Sequence, residues 1–427
     1  MLPSEPDPDA LVSTLANGVR VLVLPVRHLA TANVSVFVRT GSSHESRRLN
    51  GISHFVEHMA FKGTHGRSCQ QINLDAERLG AEVNAHTDKD HTAYHMRGMA
   101  DDAGRFIAML GDIVRNSSYP PEEIERERAV ILHEVAEDDE DAVSTADKLF
   151  DKTWFGEHPL ARPVIGSRHN IGRFTRAELL GYVQAQYTGA NVIVGIVGPV
   201  DPATMLRAAE RAFGPMPAGQ ANVVPVPAYG GGVNATVQAG TSQSHIVFGY
   251  PIPTVQDEAH HAGVVAAALF GEGMSSPLLD EIRERRGLVY HADCTAEVGE
   301  LAGQFVIEAS TSPEHVDEFF VEVRRLLIRM AEGVGAVDLE RARNQIAVRR
   351  LRDHERPARR LEAAALDVFA FGRVRSSAAV TERLRTLTAA EVGEAFARML
   401  AQTASVAVAG RLKKGALERL RGLFAAG

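Results

Sequence analysis

The sequence predicts an α+β protein made of two homologous halves, a duplicated domain with each half an α/β-sandwich-like unit. Three observations carry this. Strand-period and helix-period segments are mixed within each half, as hairpins and helices rather than alternating βαβ units. Three segments recur: Gly51 to Lys62 as Ala259 to Phe270, Ile124 to Val135 as Leu339 to Arg350, and Ile193 to Gly198 as Ser405 to Gly410, at offsets between 208 and 215 residues. No Gly-rich phosphate loop follows a strand, which excludes a nucleotide-binding fold of the doubly wound kind.

In order along the chain, Asn17-Gly18 marks a turn and Val19, Val21 and Val23 recur at strand period. Leu22 and Leu24 are also apolar, so this strand is expected to be covered on both faces. Asn33 to Arg39 is a second strand. Gly51 to Lys62 switches to helical period, with Gly63 as its stop. Residues 70–79 form an amphipathic helix, and Val83–His86 with His91–Met96 a hairpin. Helices follow over 101–116 and 121–137, the latter opened by Pro120-Pro121. One more helix spans 173–187, and Asn191–Val197 is a buried strand. Gly214 to Gly232 holds four prolines and ends in three glycines, which reads as a tether lying on the protein. The expected division is residues 1–213 as one domain, 214–232 as linker and 233–427 as its homologous counterpart.

Composition narrows the function classes. Of 427 residues, 45% are hydrophobic and 23% charged, which excludes a disordered chain. A net charge of -8 argues against nucleic-acid binding. Cys69 and Cys294 lie in no CxxC pair, against a disulfide scaffold or a thiolate zinc site. No apolar run is long enough to cross a membrane. The N-terminus shows no basic or apolar leader segments, which predicts a cytoplasmic location, or a periplasmic one if a leader has been removed.

The sharpest motif is His54-Phe55-Val56-Glu57-His58. On a helix, His54 and His58 share a face, and two imidazoles at this spacing can hold one zinc ion while Glu57 reaches a water beside it. A catalytic zinc needs a third protein ligand. Glu127 and Glu134 share a face of the 121–137 helix, with Glu123 and Glu137 nearby, and spacing alone does not choose among them. In the second half, His54, Glu57 and His58 become Gly263, Ala266 and Ala267, and Glu134 becomes Arg349. The helix persists while its metal-binding residues vanish, as expected if those residues serve an ion and not packing. His86, His91 and His95 cluster on or near the hairpin without a helix or a neighbouring Glu, and read mostly as strand or pocket polar residues, with a metal role as the lesser alternative. The acidic run Glu137–Asp141 reads as a solvated helix end.

Gly51–Thr64 resembles the active-site helix of the M16 metallopeptidases, the inverzincin HxxEH family, and most closely its short bacterial and mitochondrial processing-peptidase-like group (M16B). The resemblance covers essentially the whole chain and implies the LuxS/MPP-like metallohydrolase fold. It implies a Zn²⁺ cofactor held by His54, His58 and Glu134, Glu57 as general base, and Glu127 as a supporting carboxylate. Gly80–His95 is similar to the family's edge strand, implying that backbone near Asn84 and Ala85 binds an extended peptide. Gly271–Ala292 is similar to the segment supplying an Arg and a Tyr to catalysis and substrate binding, here Arg283 and Tyr290. The implied function is zinc endopeptidase cleavage of short or unfolded peptides held as an extended strand in a cavity. The implied partner is a second copy, or a related M16-like subunit in a heterodimer. The rival expectation is a non-catalytic or partner-dependent subunit that binds peptide.

Overall fold

A computed structural model describes residues 5–424. The first half of the helices comprises α1 (Ile52–Ala60), α2 (Cys69–Arg78), α3 (Ala103–Asn116), α4 (Pro121–Glu140), α5 (Ala142–Phe155), α6 (Arg168–Arg173), α7 (Arg176–Gln186) and α8 (Pro202–Phe213). The second comprises α9 (His260–Gly271), α10 (Val316–Glu332), α11 (Ala336–His354), α12 (Pro357–Phe371), α13 (Ser377–Thr386), α14 (Ala389–Leu400) and α15 (Ala416–Phe424). Two compact units form, neither continuous in sequence. The first takes the chain up to Ala136, Arg162–Pro225 and Asp353–Ser377. The second takes Glu137–Ala161, Val226–Arg352 and the chain from Ala378 on.

The first unit is built on six strands: β1 (Leu11–Thr14), β2 (Arg20–Pro25), β3 (Thr31–Val38), β4 (Glu82–Thr87), β5 (Thr92–Met99) and β6 (Val192–Gly198). Their order is β1-β2-β6-β3-β5-β4, so β4 is an edge. Only β2 and β6 run parallel. On one face Val21, Val34, Val36 and Tyr94 pack with Phe55 and Met59 of α1 and Phe106 and Leu110 of α3. On the other, Leu22, Leu24, Phe37 and Ala93 meet Leu361, Ala365 and Val368 of α12. β2 is therefore buried on both faces, as its unbroken apolar run requires.

The second unit has β7 (Gly232–Val237), β8 (Ser244–Ile252), β9 (Val289–Val298), β10 (Gly303–Thr311) and β11 (Ser405–Gly410), ordered β7-β11-β8-β10-β9. This repeats the first sheet without β1: β8 takes the place of β3, and β11 that of β6. Val265 and Leu269 of α9, Phe319 and Val323 of α10, and Phe396 of α14 share one core. Phe150 and Trp154 of α5 pack against Val247, Val306 and Ala407 on the other face. The duplication is thus real at the level of strand order, with α9 standing where α1 stands.

Local chemistry explains the details. The helix expected over 173–187 is α7, and a short α6 that was not expected precedes it. Thr175 and Glu178 form a capping box that starts α7 afresh after Phe174. The acidic run closes α4, where Lys148 pairs with Asp138 and Asp139, and Asp141 caps α5. The 214–231 stretch forms no helix or strand beyond α8. Asn222 donates to the carbonyls of Arg39 and Gln186. Tyr229 donates to the Thr403 carbonyl and stacks edge-on against Trp154 at 4.7 Å.

Candidate metal centre

α1 starts at Gly51, whose φ of 97° suits glycine. A side chain there would also strike the backbone of Gly166, 2.8 Å from an added Cβ. With no side chain at the cap position, the helix's orphan N–H groups turn to Glu45. This buried carboxylate accepts from the Gly51 and Ser53 N–H groups at 2.8 Å each and from the Asn50 amide at 3.0 Å. Burial pushes its pKa up to about 6 despite those bonds. Ser53 is tied through the Tyr182 hydroxyl to Thr40, at 2.8 and 2.7 Å. These contacts fix the rotation of α1, and with it the direction of His54 and His58.

The two imidazoles meet edge to face with ring centroids 4.7 Å apart. Glu134 of α4 comes to both: its Oε2 lies 3.9 Å from His54 Nε2 and 3.7 Å from His58 Nε2. Such separations suit three ligands around one ion about 2 Å from each. The three residues form a group able to hold a metal. Burial and the neighbouring His58 lower the His54 pKa to about 4, so its ring is neutral, the form a metal requires.

Glu127, two turns earlier on the same face of α4, lies 3.0 Å from His58 Nδ1. Lys62 closes on its other oxygen at 2.6 Å. Burial opposes charge on Glu127, but the bonds from Lys62 and His58 outweigh it and hold its pKa below the usual range. A carboxylate on the far nitrogen fixes a ligand's tautomer and ring angle. Glu57 is half-buried and hydrogen-bonded to Thr87 of β4. Burial raises its pKa above the ordinary value, which suits a base that must later give its proton back.

On β4, the Asp88 N–H bonds to the His91 carbonyl at 2.8 Å at the hairpin end. Antiparallel alternation then turns the backbone of Val83, Ala85 and Thr87 toward the free edge. The Ala85 N–H is taken by the Asn84 side chain at 2.8 Å, a local bond that an added strand can replace. Arg283 lies in the second unit in a π-helical segment, Leu279–Arg285, and Tyr290 follows on β9. Tyr290 is 64% exposed and so is not a core aromatic. Arg283 touches only Met274 and, at 3.9 Å, Glu284 among contacts of the described residues.

The sequence reading missed Lys62 and Glu45. Lys62 was findable, standing one helical turn after His58. Glu45 was not, because nothing in the sequence shows a loop carboxylate folding back on a helix start. Contrary to the expectation from sequence, the hairpin histidines do have a neighbouring Glu: Glu362 of α12 lies 3.2 Å from His86, brought there by α12 packing on this sheet.

Residues 21–168 match the family model described as insulinase (peptidase family M16), and residues 173–346 the one described as peptidase M16 inactive domain. A relative from Rickettsia bellii, described as an uncharacterized zinc protease, is 30% identical over 93% of this chain and 97% of its own length. Another so described, from Mycobacterium tuberculosis, is 30% identical over 95% of each chain. A solved Helicobacter pylori protease superposes with a TM-score of 0.87 at 19% identity, covering 95% of this chain and 100% of that one.

Proposed function

The chain belongs to peptidase family M16 and is a zinc metalloendopeptidase, and on that premise we propose how its residues divide the work. We place it in the short M16B group. Its support is that this two-halved chain and its relatives match over nearly the whole length of both. The observation that carries the assignment is the approach of Glu134 to the Nε2 atoms of both His54 and His58, with Glu127 on the far nitrogen of His58.

His54, His58 and Glu134 hold the zinc ion. Zinc bound there supplies Lewis-acid chemistry, polarising a peptide carbonyl and acidifying water. Glu57 takes the proton of the attacking water and passes it to the leaving amine. Glu127 and Lys62 keep His58 in the right tautomer. The outward backbone of β4 at Ala85 pairs with an extended peptide, so chain shape counts for more than side-chain identity; the backbone of Asn84 is turned to β5 instead, and Asn84 lies beside the peptide through its side chain, which caps the Ala85 N–H. Arg283 and Tyr290, the pair that the family resemblance assigns to catalysis and substrate binding, keep exposed polar ends suited to that role. The substrates are short or unfolded peptides. The chain works as a dimer, with a second copy or a related subunit.

The ligand set is tested against its competitors on the same helix. E134Q is expected to lose tight zinc binding, while E123Q and E137Q keep it. Zinc retained by E134Q, read by dialysis and metal analysis, overturns the assignment.

A further inference from the structure

The first sheet carries a second convergence of imidazole and carboxylate, on the face away from α1. β4 and β5 alternate: Val83 and Ala85 pack with the α1 layer beside Tyr94 and Met96, while Ala93 faces α12. His86, paired with Ala93, and His95 therefore point to the α12 side. There His86 Nε2 lies 3.3 Å from His91 Nε2. Glu362 Oε1 of α12 lies 3.2 Å from His86 Nε2 and 3.8 Å from His91 Nε2. Ligands about 2.0–2.2 Å from a tetrahedral zinc stand about 3.4 Å apart, so these three atoms lie close to the corners of one coordination face. They converge more tightly than the catalytic group, whose Glu134 contacts are 3.7 and 3.9 Å. Asp88 is also within reach: His86, Asp88 and His91 form a group able to hold a metal.

The far nitrogens strengthen the case. His91 Nδ1 is held by the Asp90 carboxylate at 2.7 Å. His86 Nδ1 is held by His95 Nε2 at 3.0 Å, and His95 Nδ1 by the Ser35 hydroxyl at 2.8 Å. Both forward nitrogens are thus aimed at one spot by partners behind them, as Glu127 aims His58. The chain order Ser35–His95–His86 makes a relay of oriented rings that a loose surface cluster does not need.

We propose that His86, His91 and Glu362 form a second site for a borderline divalent transition metal, zinc above all, with Asp88 or water completing the coordination. The ion ties β4, the free-edge strand, to α12 across the sheet, so it stiffens the strand beside Glu57 from the opposite face. A proton shared between His86 and His91 would satisfy the same contacts, and metal titration separates the two.

The test uses the full chain, stripped of metal and titrated with Co²⁺, whose absorption reports each site, and with Zn²⁺ in competition. The expected result is two equivalents per chain for the native protein. H54N/H58N keeps one, the second-site equivalent. E362Q and H91N each keep the catalytic equivalent at unchanged affinity, which shows that they fold, and bind the second at least about 100-fold more weakly. D90N weakens the second equivalent by about 10-fold or more. A single equivalent in the native protein at millimolar Co²⁺ overturns the proposal. So does a second equivalent that persists unchanged in both E362Q and H91N. Loss of the first equivalent alone in H54N/H58N is independent of this outcome, so failure here leaves the catalytic assignment standing.

Discussion

His58 is gripped at both ring nitrogens, by Glu127 on one side and beside Glu134 on the other. That division of labour sets what single substitutions do. E127Q keeps a hydrogen-bond acceptor but loses the charge paired with Lys62. It is expected to weaken zinc binding about 10–100-fold without unfolding the chain, measured by chelator competition; unchanged affinity would show Glu127 to be structural only. His54, Glu57 and His58 were legible in the sequence because a helix fixes their mutual spacing. Among the glutamates of α4, spacing left four candidates open. Only the approach of α4 to α1 separates Glu134, near both Nε2 atoms, from Glu127, near Nδ1. The hairpin histidines were visible as a cluster, but Glu362 was not. It comes from a helix far along the chain, and no local pattern announces which sheet that helix covers.

At the scale of elements, α1 depends on a buried carboxylate instead of a cap side chain. Glu45 has a folded pKa of about 6 against an ordinary 4.5, because burial disfavours its charge. The folded state therefore holds this proton more tightly than the unfolded one. Its contribution to stability is fully present below pH 4.5 and is lost as pH rises through 6, about 2 kcal/mol in all. Denaturant melts of the native protein and E45Q at pH 4 and pH 7 should differ in slope over that window, the native losing more; parallel curves would contradict it. E45Q should also be less stable at both ends, by roughly 1–3 kcal/mol, because an amide NH₂ faces the α1 donors. The edge strand gives a separate test. Ala85 directs its N–H outward, so A85P removes a donor without breaking the ladder to β5. Peptide hydrolysis should fall, mainly through a raised KM, with metal content kept; an unchanged KM would exclude strand addition at this position.

At the scale of the whole chain, the sequence carried the duplication and most of the strands, because steady offsets survive divergence. The strand order β2-β6-β3-β5-β4 reappears as β7-β11-β8-β10-β9. What the sequence did not carry is the reassignment of α5 and α12. Each follows a long helix, α4 or α11, and packs in a compact unit with strands from the other half of the sequence. Both are amphipathic helices with apolar faces of Leu, Ala, Phe and Trp. Such a face records that a helix is covered, not which sheet covers it. The functional asymmetry of the halves follows from the same comparison. α9 keeps the packing of α1 but has Gly263, Ala266 and Ala267 where the zinc residues stand, and all its residues but Val264 are buried.

The central claim, that one zinc ion and Glu57 perform peptide hydrolysis, is tested most directly by metal content and turnover measured together on the native chain and E57Q. A library of quenched fluorescent peptides supplies the substrate. With the second site kept empty by limiting zinc, the account predicts one tightly held equivalent in both proteins and hydrolysis in the native chain, reduced in E57Q by about 100-fold or more. E57Q cleaving peptides at the native rate, with its zinc in place, would contradict it.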